Sequence, residues 1–286
     1  MNPASFTRFI AIDWTGARGR RHKGIAVASC EAGAAAPVLV TPPEGLWSRT
    51  SVRDLLLDIA ARGERALIGF DFSFAPPFVD TGAYLPGEAT PAEARAFWAF
   101  VEKHCGDEDL GAASFLEQAF RRHFYFGKAD GVKARYMRLR VCEQAFNAAG
   151  GGKPSSVFDA IGAAQVAKAS FSGMRLLHQV QDRLPVWPFD PAPATGPLVV
   201  EIYGRAFIRH AGLRGLKVRD AATLDAALAA LGSAPATLDG PLTDHVTDAL
   251  ITAAGMRALA GQAAYWAPAG LEPGVARTEG WTFGVA

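Results

Sequence analysis

The residues best suited to chemistry are four acidic positions in apolar surroundings. Asp13 closes the run Arg8-Phe9-Ile10-Ala11-Ile12-Asp13, and Asp71 closes Ala66-Leu67-Ile68-Gly69-Phe70-Asp71. Glu201 lies inside Leu198-Val199-Val200-Glu201-Ile202-Tyr203. A carboxylate in such a run is costly to bury unless a partner or a cation offsets it. One strand-end Asp most often begins a turn, whereas three in one chain point to a shared site. The fourth position is Asp244-His245-Val246-Thr247-Asp248, at the head of a helix expected over 243–260. Asp244 and Asp248, four residues apart, share a helical face. Asp244 reads either as an N-cap or as a member of the site. Asp248 precedes ALITAAGMRALAG, a stretch apolar on most sides that must be largely buried. Buried acids facing one another need a cation, or one of them must take up a proton. Oxygen donors without Cys or His favour Mg²⁺ or Mn²⁺ over Zn²⁺.

The elements that must position these acids follow from the apolar patterning. Strands are expected at 8–13, 24–29, 38–41, 66–71 and 198–203, with a late strand or extended edge at 279–283. A helix starts at Ser51, as cap, with Asp54 at its third position, and stops at Gly63. From Pro76 to about Gly196 the pattern turns helical. Thr90-Pro91-Ala92-Glu93 is a start signal, and helices are expected over 112–123, 134–149, 155–169 and 173–184. Pro185 to Pro191 reads as an extended linker. Helices follow at 204–211, 220–231 and 243–260. The sequence therefore predicts one α/β domain, with its core from 1–75 and 197–286 and a helical insertion over 76–196.

This order of strand and acid, two strands, helix, strand and acid, then a late acidic helix resembles the ribonuclease H-like fold, a mixed sheet flanked by helices. More closely, Ile10-Ala11-Ile12-Asp13, Phe70-Asp71 before Pro76-Pro77, Val200-Glu201-Ile202-Tyr203 and Asp244-xxx-Asp248-Ala249-Leu250 resemble the motifs of the DUF429 family. In the wider superfamily the corresponding acids hold two divalent metals for phosphodiester cleavage. The resemblance thus implies catalytic and metal-binding roles for Asp13, Asp71 and Asp248, with Asp244 as an auxiliary ligand. Glu201 matches the strand motif and is expected beside them, in support of the metal-binding acids. A nuclease acting through Mg²⁺ or Mn²⁺ is the implied activity. Two metals about 3.5–4 Å apart can generate hydroxide and steady both reacting oxygens, so no protein nucleophile is required. That fits the lack of a GxSxG elbow.

Arg121 to Arg140 (RRHFYFGKADGVKARYMRLR) carries seven Lys and Arg against Asp130, a local charge of +6 in a chain whose net charge is +1. Phe124, Tyr125, Phe126 and Tyr136 interleave with the cations, the mixture expected for phosphate contact and base stacking. Arg121, Arg122 and Lys128 are the candidate contacts, with a solvated basic helix as the bland alternative. Lys153, Ser155 and Ser156 are further candidates for phosphate. Gly150-Gly151-Gly152-Lys153-Pro154-Ser155 is no phosphate loop, because no strand precedes it and proline follows the lysine. It reads as a helix terminator. Gly16 and Gly19 do not make a dinucleotide fingerprint, so no dinucleotide cofactor is expected.

With 286 residues, half of them apolar, 29 basic and 28 acidic, the chain is no disordered tail, fibre or basic packaging protein. Three scattered cysteines without a CxxC pair predict a cytoplasmic protein with buried thiols. No run approaches the roughly 18 apolar residues of a membrane span. Two rivals to the nuclease are phosphotransfer or hydrolysis on a small phosphorylated ligand, and ligand binding on an inactive scaffold. Asp13-Trp14-Thr15-Gly16 is compatible with phosphotransfer, but the chain is short for a duplicated core.

Overall fold

The computed structural model describes residues 6–162, 165–213, 217–238 and 240–286. Its strands are β1 (Arg8–Asp13), β2 (Ala26–Glu31), β3 (Val38–Leu39), β4 (Ala66–Asp71), β5 (Val186–Trp187) and β6 (Leu198–Glu201). They form one mixed sheet in the order β3-β2-β1-β4-β6-β5. The first three strands are antiparallel, and β1, β4, β6 and β5 run parallel. The central strands are apolar on both sides because helices cover both faces.

Ile10, Ile12, Ile68, Phe70 and Val199 point to one face. They pack in one core with α1 (Arg49–Ala61), α2 (Ala94–Lys103) and α4 (Ala167–Val180). Phe9, Ala11, Leu67, Leu198 and Val200 point to the other. That face carries α3 (Val141–Ala148), α5 (Gly204–His210), α6 (Ala221–Ala230), α7 (Asp244–Leu259) and α8 (Pro273–Thr278). α7 is buried on nearly every side and lies along β1 and β2. Small residues make this close approach possible. At Gly69 of β4 a Cβ would stand 2.6 Å from Ile202 Cγ2 and 2.8 Å from Met256 Sδ. No described helix is long and apolar enough to cross a membrane.

Several boundaries differ from the sequence expectation, each for a local reason. α1 begins at Arg49, because Ser48 is its N-cap and Ser51 the reciprocal partner three residues on. The second strand is shifted to 26–31 and the third shortened to two residues. The Thr90–Glu93 start signal sits in bends, and α2 begins at Ala94. Over 112–123 the chain makes a wide π turn (Phe115–Ala119) and a 3-10 turn (Arg121–His123). Of 134–149 only Val141–Ala148 is α-helical. The helix expected at 155–169 is absent over the described residues up to Val166, and Ala163 and Ala164 lie outside them. A single helix, α4, instead takes in the start of the one expected at 173–184. The 185–191 linker contains β5, so the stretch read as an insertion also supplies a strand at the sheet edge. At the C-terminal end Thr282 makes one parallel bridge to Glu201.

Candidate active site

Asp13 and Asp71 end neighbouring parallel strands and are direct register partners. Such partners project to the same side of the sheet, on strands about 4.8 Å apart. That side is the one α7 covers, and α7 brings Asp248 to both. Gly204, the first residue of α5, lies against the pair. A methyl on its Cα would stand 3.5 Å from Asp71 Oδ2 and 3.7 Å from Asp248 Cβ. The Gly204 N–H donates to the Asp71 carboxylate.

One backbone donor does not offset the crowding. Burial first, then the charges of Asp13 and Asp248, hold the Asp71 carboxyl well above the usual carboxylate range. Asp248 is pushed up to about 6 by burial, then by Asp13 and Asp244. Mutual perturbation of this kind marks groups that share one small volume. Asp13 finds a partner in His245, whose Nδ1 lies 2.5 Å from Asp13 Oδ2. The hydrogen bond to Asp13 raises the imidazole pKa, and the ring is half exposed. Reading the sequence for carboxylates passes over His245. Its available signal is the i, i+3 spacing to Asp248, which puts both on one side of the helix.

Asp244 stands at the rim. Thr243, not Asp244, caps α7, its hydroxyl accepting from the Val246 N–H. Asp244 is instead ion-paired with Lys217, which keeps its carboxyl below the usual range. Glu201 does not join the three aspartates. Its register partner is Phe70, so it points to the opposite face from Asp71. Its carboxylate takes Arg140 Nη1 and Nη2 at 2.7 and 2.5 Å, the Phe74 N–H at 2.7 Å and the Thr282 hydroxyl at 2.7 Å. Arg140 Nε also reaches Glu143 Oε1 at 3.0 Å. Glu201 is thereby committed to a buried ion cluster, and its charge is a minor influence on Asp71.

The donor chemistry fits a hard divalent cation: three carboxylates, two of them inclined to hold protons, and no thiolate. The side chains are not gathered for it. Among the described residues no three His, Cys, Asp or Glu side chains are arranged to hold a metal ion. Repulsion among the aspartates, and the turn of Asp13 toward His245, account for that spread.

Most cations of the basic segment are committed to partners within the protein. Arg121 donates to the Phe124 carbonyl and to Asp130, with its guanidinium 4.2 Å from the Phe126 ring centre. Arg122 pairs with Glu88 at 2.6 Å, Lys133 with Asp159, Arg138 with Asp80, and Arg140 with Glu201. Phe124 and Tyr125 are buried rather than offered for stacking. Phe124 packs in the core on the sheet face opposite the aspartates. Lys128 is exposed in a 3-10 turn of the same segment.

A cleft reaches the aspartates. It encloses about 580 Å³, and its lining includes Asp71, Asp244 and Asp248 together with Arg205, Arg209 and Lys217. Gly150, Gly151 and Gly152 line it as well. These glycines end α3, as expected: Gly150 has φ of +73°, and the Gly151 N–H returns to the Phe146 carbonyl. Lys153 is exposed just beyond them, and Ser155 shares a smaller cavity of about 90 Å³ with Asp71. Ser156 is buried and donates to the Arg138 carbonyl. Compared with family models, curated proteins and solved structures, the chain matches none of them.

Proposed function

We propose that this chain is a divalent-metal-dependent phosphodiester hydrolase on a ribonuclease H-like core, acting on nucleic acid. The observation that carries the reading is the paired register of Asp13 and Asp71 beneath Asp248, with the mutual pKa elevation that follows. The strand order β3-β2-β1-β4-β6, antiparallel then parallel, supports the fold assignment and the DUF429 resemblance. Asp13, Asp71 and Asp248 would hold Mg²⁺ or Mn²⁺, which supplies Lewis-acid stabilisation of the phosphate and lowers the pKa of bound water. Asp71, fixed by the Gly204 N–H, orients the cluster. His245 keeps Nδ1 on Asp13, leaving Nε2 to take a proton from the attacking water or return one to the departing oxygen. Water adds to phosphorus, one P–O bond breaks, and the leaving alcohol gains the proton.

A Mn²⁺ titration followed by thermal melting tests this reading. Wild type gains about 2.7 kcal/mol at a hundredfold excess over the dissociation constant. Asp71→Asn and Asp248→Asn lose that gain together with oligonucleotide cleavage. Identical melting of all three proteins across the titration would remove the metal site and the function with it.

A further inference from the structure

We infer that Arg205 and Arg209 hold a second phosphate of the substrate strand, beside the one at the aspartates. This rests on the phosphodiesterase reading and names the surface by which the strand is recognised. The two arginines sit one turn apart on α5, so they share a helical face. Both line the cleft that Asp71 and Asp248 also line.

Their environment separates them from the arginines of the 121–140 segment. Arg121, Arg122, Arg138 and Arg140 each carry a carboxylate partner. Among the described residues no carboxylate pairs with Arg205 or Arg209. Arg209 donates through Nη2 to the Ala149 carbonyl at 2.6 Å, and among the described residues no other hydrogen-bond partner takes its guanidinium. Arg205 is exposed. Both guanidinium groups lie against the glycine turn: a Cβ on Gly152 would stand 3.5 Å from Arg205 Nη1, and one on Gly150 3.8 Å from Arg209 Nη1. Gly150 and Gly152 have φ of +73° and +98°, values that L side chains rarely adopt, so the turn offers bare backbone there. The guanidinium groups therefore reach the cleft unobstructed.

The charge layout selects a polyanion. A lone phosphate at the aspartates is served by metal there and does not call for two further arginines in the cleft. An anionic strand would be repelled by the acids of the cleft unless its cations offset them, and Lys217 is already paired with Asp244. Guanidinium forks bind phosphate oxygens in pairs, and 580 Å³ is room for more than one phosphate group.

The test measures binding of a short fluorescent single-stranded oligonucleotide in EDTA as salt is varied. Arg205→Ala/Arg209→Ala should weaken binding by about tenfold or more. It should also reduce the log–log salt slope by roughly 0.7, the value for one phosphate no longer neutralised on a single strand. Arg121→Ala/Arg122→Ala should leave both unchanged. Arg205→Lys/Arg209→Lys should restore the slope but not the full affinity, because lysine is a point charge without the fork. Mn²⁺-dependent stabilisation should be the same in wild type and in the Arg205/Arg209 variants. Binding that survives Arg205→Ala/Arg209→Ala, wild type that does not bind the oligonucleotide at low salt, or a nucleoside monophosphate that binds as tightly as the oligonucleotide overturns the inference. Absence of any Mn²⁺ effect alongside arginine-dependent binding would fell the catalytic reading and leave the strand-binding site standing.

Discussion

Asp248 gives the cluster a measurable signature. Its folded pKa, about 6, lies above its unfolded value near 4, so the native state binds the proton more tightly. The protonated carboxyl stabilises the fold at low pH, and that contribution is lost as pH rises from about 4 to 6. A shift of this size corresponds to at most roughly 3 kcal/mol. Asp248→Asn should therefore gain on wild type across that window in denaturant unfolding without metal, and equal pH profiles would contradict the crowding. His245 behaves in the same sense, at higher pH. Its raised pKa means a stabilising Asp13 pair below the unfolded value near 6.5, lost as pH climbs through the folded one. The three aspartates were legible in the sequence because each interrupts an apolar run. The pairing of the basic segment was not legible, for the converse reason. Arg138 and Arg140 find their acids at Asp80 and Glu201, far outside the window in which charge was counted.

Among the elements, α7 lies along β1 and β2 and also approaches β4. Gly69 is a tight point there, with Ile202 and Met256 where a side chain would be. Gly69→Ala should cost about 1–3 kcal/mol by overpacking. Where relief lifts α7 rather than turning the Ile202 and Met256 side chains aside, the same variant should also weaken Mn²⁺ stabilisation. Denaturant unfolding with and without Mn²⁺ reads both effects, and an unaltered metal response would mean that the helix has not moved. β1 to β4, β6 and the helices α5, α6 and α7 were readable from period and caps, with boundaries off by at most about two residues, whereas β5 and α8 were not. The middle of the chain was not. Periodicity over 112–149 arises there from aromatic residues such as Phe115, Phe120 and Phe124, which pack in successive tight turns rather than along one helix.

At the scale of the whole molecule, a buried ion cluster joins parts of the chain that are distant in sequence. Arg140 precedes α3, Glu201 ends β6, and Glu279 follows α8. Glu279 accepts the N–H groups of Phe78, Val79 and Val141. Arg140→Met strands the Glu201 carboxylate in a buried position and should destabilise the fold by about 3–5 kcal/mol. Adding Glu201→Gln should recover part of that loss, since the uncompensated charge is then gone. A double variant as unstable as the single one would indicate that packing, rather than charge, governs the site. Glu201 was correctly seen as an anomaly in an apolar strand. Its partner was not visible, because only the folded sheet shows that it faces away from Asp71.

The three aspartates enter the chain at positions 13, 71 and 248, on the first strand, the fourth strand and a helix near the end. A growing polypeptide therefore carries two of them through most of its synthesis with no third to complete the set. Asp13 also lacks His245 until α7 emerges, so the incomplete sheet edge holds two adjacent acids without their histidine. The last large helix to be made is the one that completes the trio, so a partly made chain holds only two of the three aspartates.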